Sequence, residues 1–392
     1  MSQKPISLSP DLKRLRDEGY FIKIVGGFLV MREVPYVNSA RQVCRGTLIS
    51  SLTMAGEVTR TPDTHVVYFD GEYPCDSNGG PIHQIANQSG TINLGNGMTA
   101  KHAFSSKPGT GYADYYHKMT TYAALLSGPA ALLQPGASPR VFRVPEEEEN
   151  SVFQYTETAS DRVGIGALTE RLAAEKVALV GVGGTGSYVL DFVAKTPVRE
   201  IRLIDGDDFL QHNAFRAPGA PTLEQLREAP KKVDYLKGIY SNMHRGIVAH
   251  AVAISAANLQ LLDGITFAFL CMDAGEAKRL VVERLEAMGV PFVDVGMGLE
   301  LVDGTLGGIL RTTASTPAKR DGFRTHVSFI GDGNANIYSS NIQVADLNAF
   351  NAVMAVIRWK KIRGFYRDLE REHHSSYTTD GNLLLNGDQC LC

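Results

Sequence analysis

Apolar residues occur in short runs whose spacing changes along the chain. In the first third, residues 20–25, 27–31 and 65–69 are β-branched and aromatic runs bounded by Gly, Pro and Asn, which predicts short strands. Residues 112–126 are long and apolar enough to predict a helix, so this part reads as α+β. Further on, residues 177–180, 201–204, 247–253, 267–270 and 292–295 are apolar runs separated by helix-length segments, the βαβ rhythm of a mainly parallel, Rossmann-like α/β sheet. Near the end, Leu347, Phe350, Met354 and Ile357 recur at 3-4-3 spacing on a helix that Ser340 or Asn341 would cap. Beside Trp359, this stripe predicts the helix's core-facing side.

The periodic pattern breaks between residues 135 and 161, where Pro135, Gly136, Pro139, Pro145 and the run Glu146 to Glu149 read as a solvated linker. The expected organisation is a smaller α+β domain over residues 1–140, a linker over 141–160, and a Rossmann-like domain over 161–392. With 392 residues there is ample chain for two cores.

Charge narrows the partners. The chain carries 39 Lys and Arg against 42 Asp and Glu, and residues 1–150 carry 14 of each sign, so neither half offers a basic face for nucleic acid. The most apolar stretch, 122–133, is interrupted by Ser127-Gly128-Pro129, and the charged start lacks a signal-peptide centre, so a cytoplasmic protein without a membrane span is expected. Cys44, Cys75, Cys271, Cys390 and Cys392 form no C-x-x-C pair and are expected to be free thiols. His65, Cys75 and His83 would offer zinc three ligands, widely spaced and lacking a fourth.

The strongest chemical signal follows the run 177–180. Gly181-Val182-Gly183-Gly184-Thr185-Gly186-Ser187 leads from a strand into a helix, the arrangement in which glycines allow a tight turn, close approach of an anion and close helix–strand packing. Asp205 ends the next strand 19 residues past Gly186, where an acid would hold a ribose. To this point an NAD-linked oxidoreductase and an ATP-using adenylating enzyme fit equally well. The residues that follow favour the triphosphate: Asp205-Gly206-Asp207, then His212-Asn213-Ala214-Phe215-Arg216, then Lys231-Lys232, then Asp273 after the fourth run. Cations offset the charge that develops as pyrophosphate leaves, and a carboxylate suits Mg²⁺.

In these residues the chain resembles the ThiF/MoeB/ubiquitin-activating-enzyme superfamily of adenylyltransferases, with its G-x-G-G-x-G, D-x-D, S-N-x-x-R, Lys and Asp. His212 stands where the family has Ser, and Ala274 where it has Asn. The resemblance implies that Gly181, Gly183, Gly184 and Gly186 cradle ATP and that Asp205 holds its ribose. It implies phosphate contacts from Asn213, Arg216 and Lys232, a ligand contact from Asp207 or else a part in shaping the loop after the second strand, Mg²⁺ on Asp273, and Arg162 reaching a neighbouring active site in a homodimer. The implied reaction is adenylation of the C-terminal glycine of a ubiquitin-like protein. The family's thioester cysteine is missing between Asp273 and Cys390; Thr312, Thr313 and Ser315 are hydroxyls there with no base visible in the sequence. Through Val34-Pro35-Tyr36-Val37 and His65-Val66-Val67-Tyr68-Phe69-Asp70-Gly71-Glu72 the first domain resembles one that precedes ThiF-like modules in some bacterial proteins, which implies recognition of the ubiquitin-like protein or of a conjugating enzyme. A scaffold without catalysis keeps the same fold and is the third reading.

Overall fold

A computed structural model describes residues 4–95, 97–144, 151–162, 165–330 and 342–387. The chain divides into two compact units, Met1–Glu148 and Glu149–Cys392.

The first unit is built on a six-stranded sheet: β1 (Phe21–Val25), β2 (Phe28–Val37), β3 (Val43–Ser51), β4 (Val66–Asp70), β5 (Ala86–Gly95) and β6 (Met98–Ser105), ordered β1-β2-β3-β4-β6-β5 with every pair antiparallel. Helices α1 (Pro10–Asp17) and α2 (Tyr115–Leu133) cover it. Tyr115, Met119, Tyr122 and Leu126 of α2 are fully buried against Leu29, Met31, Leu48 and Phe69, an i, i+4, i+7, i+11 stripe meeting alternate sheet residues. The Asp114 carboxylate accepts the His117 N–H and caps α2. The expected helix is longer than its apolar pattern: it runs through Gly128 and Pro129 to Leu133. At Pro129 only one ladder hydrogen bond is lost, near the helix end.

The second unit contains β7 (Lys176–Val180), α3 (Gly184–Val193), β8 (Glu200–Ile204), α4 (Lys232–Tyr240), β9 (Ile247–His250), β10 (Phe267–Leu270), α5 (Glu276–Ala287), β11 (Phe292–Val302), β12 (Thr305–Ser315), the short α6 (Phe323–His326), α7 (Ala345–Ile362), β13 (His374–Thr378) and β14 (Leu383–Asn386). Its eight-stranded sheet is ordered β9-β8-β7-β10-β11-β12-β13-β14. The first five strands are parallel. The last three add antiparallel, β12 and β14 by short turns and β13 after the long connection that carries α6 and α7. Strand order reverses beside β7, which opens a crevice at the carboxyl ends of β7, β8 and β10, the place where doubly wound sheets bind ligands. Helices α3 and α7 bury one face through Val189, Leu190, Val193, Ala352, Ala355 and Trp359. On the other face α5 packs with Val281, Val282 and Leu285.

One expectation is reversed. Helix α7 buries Asn348, Asn351, Ala352, Ala355, Val356, Arg358 and Trp359, whereas Leu347, Phe350 and Met354 are half-buried and Ile357 is 40 % exposed. The small residues permit the helix to lie close to α3 and the sheet, and the bulky apolar stripe is turned to the side. Ser340 and Asn341, the expected caps, lie outside the described residues; Val344 precedes the first turn.

Candidate active site

The loop after β7 uses its glycines for different physical reasons. Gly181 has φ +84°, and a Cβ there would stand 2.5 Å from the Cys271 carbonyl oxygen at the end of β10. At Gly186 a Cβ would meet the Gly181 carbonyl oxygen at 2.1 Å, and at Gly184 the Asn348 amide nitrogen at 2.2 Å. These three positions are closed by packing. At Gly183, which precedes the first turn of the ten-residue α3, a Cβ would meet nothing within 4 Å. The first-turn N–H groups of α3, unsatisfied within the helix, have this open position beside them.

The carboxyl end of β8 leads into the acidic segment. Asp205 accepts the Val182 N–H at 2.8 Å with one oxygen and the Asp207 N–H at 2.9 Å with the other, so it braces the glycine loop against the following turn. Asp207, largely exposed, holds the ammonium of Lys232 at 2.7 Å. Lys232 opens α4 and is only 7 % exposed. Its neighbour Lys231 points elsewhere, donating to the Gly206 carbonyl at 2.9 Å and pairing with Asp208 at 2.8 Å. That Asp208 contact raises the Lys231 pKa.

Asn213, 3 % exposed, accepts the Leu210 N–H at 2.8 Å through its side-chain oxygen, while its buried Nδ2 has no hydrogen-bond partner. A buried amide donor left unmatched costs about 1–3 kcal/mol, so this atom is suited to an incoming acceptor. Half-buried Arg216 lies one turn further. His212 beside them titrates below its ordinary value, first through partial desolvation and then through the Arg216 and Lys232 charges. Asp273 is exposed in the loop that joins β10 to α5, two residues past Cys271. Arg162 ends the short helix Ala159–Arg162; its side chain lies outside the described residues, as do Cys390 and Cys392.

Three features were not expected from the sequence. Asn348 of α7, 1 % exposed, accepts the Thr185 hydroxyl at 3.0 Å and donates to the Arg216 carbonyl at 3.4 Å, tying the glycine helix to the arginine loop. Asn351 one turn on accepts the Thr312 hydroxyl at 3.3 Å and donates to the Gly296 carbonyl at 3.0 Å. The available signal was two Asn at i, i+3 within an otherwise apolar helix. Finally, Asp294 of β11 is fully buried, with Lys278 of α5 at 2.7 Å and Arg311 of β12 at 2.9 Å. A Cβ at Gly296 would fall 2.5 Å from the Arg311 guanidinium, so glycine there makes room for it. Lys278 follows Asp273 by five residues.

The Cys271 and Cys75 thiols are muted. Burial, with Asp294 adding its charge, pushes the Cys271 thiol up. Burial likewise raises Cys75, with Asp76 and Glu72 adding to it. His65 is engaged with the Ser105 hydroxyl at 3.0 Å, and among the described residues no group of three or more His, Cys, Asp or Glu gathers at metal-binding distance. No described helix is long and apolar enough to cross a membrane.

No curated protein matches the chain. Among solved structures, PaaA is 20 % identical, covering 56 % of this chain and 75 % of its own, with a TM-score of 0.43. Escherichia coli MccB, solved with ATP, is 15 % identical over 58 % of this chain and 68 % of its own, at 0.44. TcdA (CsdL) is 17 % identical over 52 % of this chain and 92 % of its own, at 0.40. Residues 10–158 match a domain of unknown function (DUF6791). Residues 157–348 match the ThiF family, and that segment is a ThiF-family domain.

Proposed function

We propose that the chain is an ATP-dependent adenylyltransferase that activates a carboxylate, the C-terminal glycine of a ubiquitin-like protein, as an acyl-adenylate with release of pyrophosphate. The match of residues 157–348 to the ThiF family supports this reading. The observation that carries it is Lys232: an ammonium 7 % exposed, held by Asp207 at 2.7 Å, in the crevice at whose glycine loop only Gly183 opens onto free space. A redox dinucleotide, whose pyrophosphate is held mostly by backbone, has little use for a sequestered lysine.

In this reading the α3 N-terminus and Gly183 receive phosphate oxygens, Asp205 the ribose hydroxyls, and the unmatched Asn213 amide a phosphate acceptor. Arg216 and Lys232 lie where negative charge grows as pyrophosphate departs, and Asp207 keeps Lys232 aimed before the nucleotide arrives. The attacking carboxylate is ionised at neutral pH and needs no base. His212, its pKa lowered, stays neutral beside the two cations. Bound Mg²⁺ would neutralise phosphate charge; the residue suited to it is the exposed Asp273, since Mg²⁺ commonly takes one or two carboxylates together with phosphates and water. Arg162 would act on the partner active site of a homodimer. The Met1–Glu148 unit would recognise the ubiquitin-like protein or a conjugating enzyme; its buried, protonated Cys75 suits recognition better than acyl transfer.

The test is ATP–pyrophosphate exchange with a glycine-terminated ubiquitin-like protein. Lys232→Ala is expected to lower exchange roughly 10²–10³-fold, the usual cost of removing a charge-stabilising group. Asp273→Ala is expected to lose it as well, with circular dichroism unchanged. Undiminished turnover in either variant would refute the assignment, and nicotinamide binding indifferent to Lys232 would replace it with the oxidoreductase.

A further inference from the structure

The sequence has hydroxyls but no cysteine between Asp273 and Cys390, and the Cys271 thiol is pushed toward its protonated form by burial. An acyl-adenylate formed in the crevice would find no thiolate among them. The fold, however, supplies one hydroxyl with a base. Thr313 Oγ1 lies 2.9 Å from His374 Nδ1, and Arg311 donates to the same oxygen at 3.3 Å. The His374 ring is stacked on His326 of α6, with centroids 3.7 Å apart and planes 11° from parallel. A nucleophile, a base within hydrogen-bond reach and a third group orienting the base are the elements of an activated hydroxyl.

The location is also apt. Across the sheet Leu270 pairs with Asp294, Asp294 with Thr313, and Thr313 with His374, so all four stand on one row. Leu270 is the last residue of β10, immediately before the loop bearing Asp273. Thr313 is therefore level with the carboxyl end of the parallel strands, two strand spacings or roughly 10 Å to the side. The ion pair of Arg311 with Asp294 fixes the guanidinium that touches the hydroxyl. Thr313 is 1 % exposed, beneath the four-residue α6 and a turn containing Lys319 and Gly322. The same residues, with His326, His373 and His374, line a cavity of about 10 Å³, the scale of one water.

We propose that Thr313 is an acyl acceptor, with His374 as its general base, that takes a glycyl group from the adenylate as an oxyester. The proposal rests on the adenylation reading above and extends it to a second step. Thr313 Oγ1 attacks the carbonyl carbon of the acyl-adenylate. The ester C–O bond forms, the bond from that carbon to the phosphate oxygen breaks, AMP leaves with the electron pair, and the hydroxyl proton passes to His374 Nδ1. This requires the imidazole neutral, with its own proton on Nε2. Arg311 stabilises the oxygen as charge grows on it. In the structure as described the cavity holds no more than a water, so the acyl group reaches Thr313 only when α6 and the turn at Lys319 and Gly322 move aside.

The full chain incubated with synthetic N-acetylglycyl-AMP tests this step without relying on the first. Peptide mapping by mass spectrometry is expected to find a base-labile acetylglycyl ester on Thr313. Thr313→Ser should keep the adduct and Thr313→Val lose it, and His374→Gln should slow its formation by about 100-fold or more. A wild-type chain that is not acylated, or is acylated elsewhere, overturns the proposal without need of any variant. If Thr313 is acylated while the wild type shows no ATP–pyrophosphate exchange, the adenylation reading falls and the acceptor stands.

Discussion

Individual residues in this protein carry signals that differ in how far they reach. Gly183 and Gly184 are adjacent and identical in sequence, yet a Cβ has free space at the first and stands 2.2 Å from Asn348 at the second. Gly184→Ala is therefore expected to destabilise the fold by about 1–3 kcal/mol, as overpacking does, and the Gly184→Ala/Asn348→Ala double variant to recover part of that loss in denaturant melts. Gly183→Ala is expected to leave the melt nearly unchanged and to weaken ATP binding by calorimetry. Lys118 of α2 gives a prediction of another kind. It is fully buried, donating to the Ser50 hydroxyl at 2.8 Å and the Thr64 carbonyl at 2.7 Å, and burial, opposed by the Asp63 charge, lowers its pKa to about 8. Between pH 8 and the ordinary lysine value of 10.5 the unfolded chain binds a proton that the folded chain does not, so this group's contribution to stability rises with pH over that window. Below pH 8 its burial penalty is felt in full. The stability difference between Lys118→Met and wild type should therefore shift in favour of wild type from pH 8 to 10, and a difference flat in pH would contradict it.

At the level of elements, α7 shows how a correct period can be assigned to the wrong face. Leu347, Phe350, Met354 and Ile357 identify a helix by their spacing, but spacing does not say which neighbour the helix meets. The contact surface is set by Ala352, Ala355 and the two asparagines, because small side chains allow close approach to α3 and the amides find partners on Thr185, Arg216, Thr312 and Gly296. Ala355→Leu is accordingly expected to cost about 1–3 kcal/mol by overpacking. Ile357→Glu, on the half-exposed side, should cost less than about 0.5 kcal/mol. Equal losses in urea melts would restore the stripe as the core face. The same limit explains β12, β13 and β14. Their pairing depends on partners up to about seventy residues apart in the register, and the sequence reading followed the parallel rhythm only as far as residue 295, where β11 in fact continues to Val302 and turns back.

For the whole molecule, the two compact units predict separable behaviour. A chain beginning at Glu149 is expected to unfold cooperatively and to bind ATP within a few-fold of the full chain, since the glycine loop, Asp205, Lys232, Asn348 and Asp273 all fall within it; loss of binding on truncation would mean that the site is not self-contained. The sequence by itself determined the strand–glycine-loop–helix order, the acidic segment at the next strand end and the alternation of apolar runs, because turns, caps and periodicity are written in residues a few positions apart. Tertiary structure alone decided which glycine faces open space, which face of α7 is covered and which threonine meets a histidine. These are contacts between residues up to some 160 positions apart, made by the close packing of strands and helices, and packing depends on volumes and partners that no local pattern encodes.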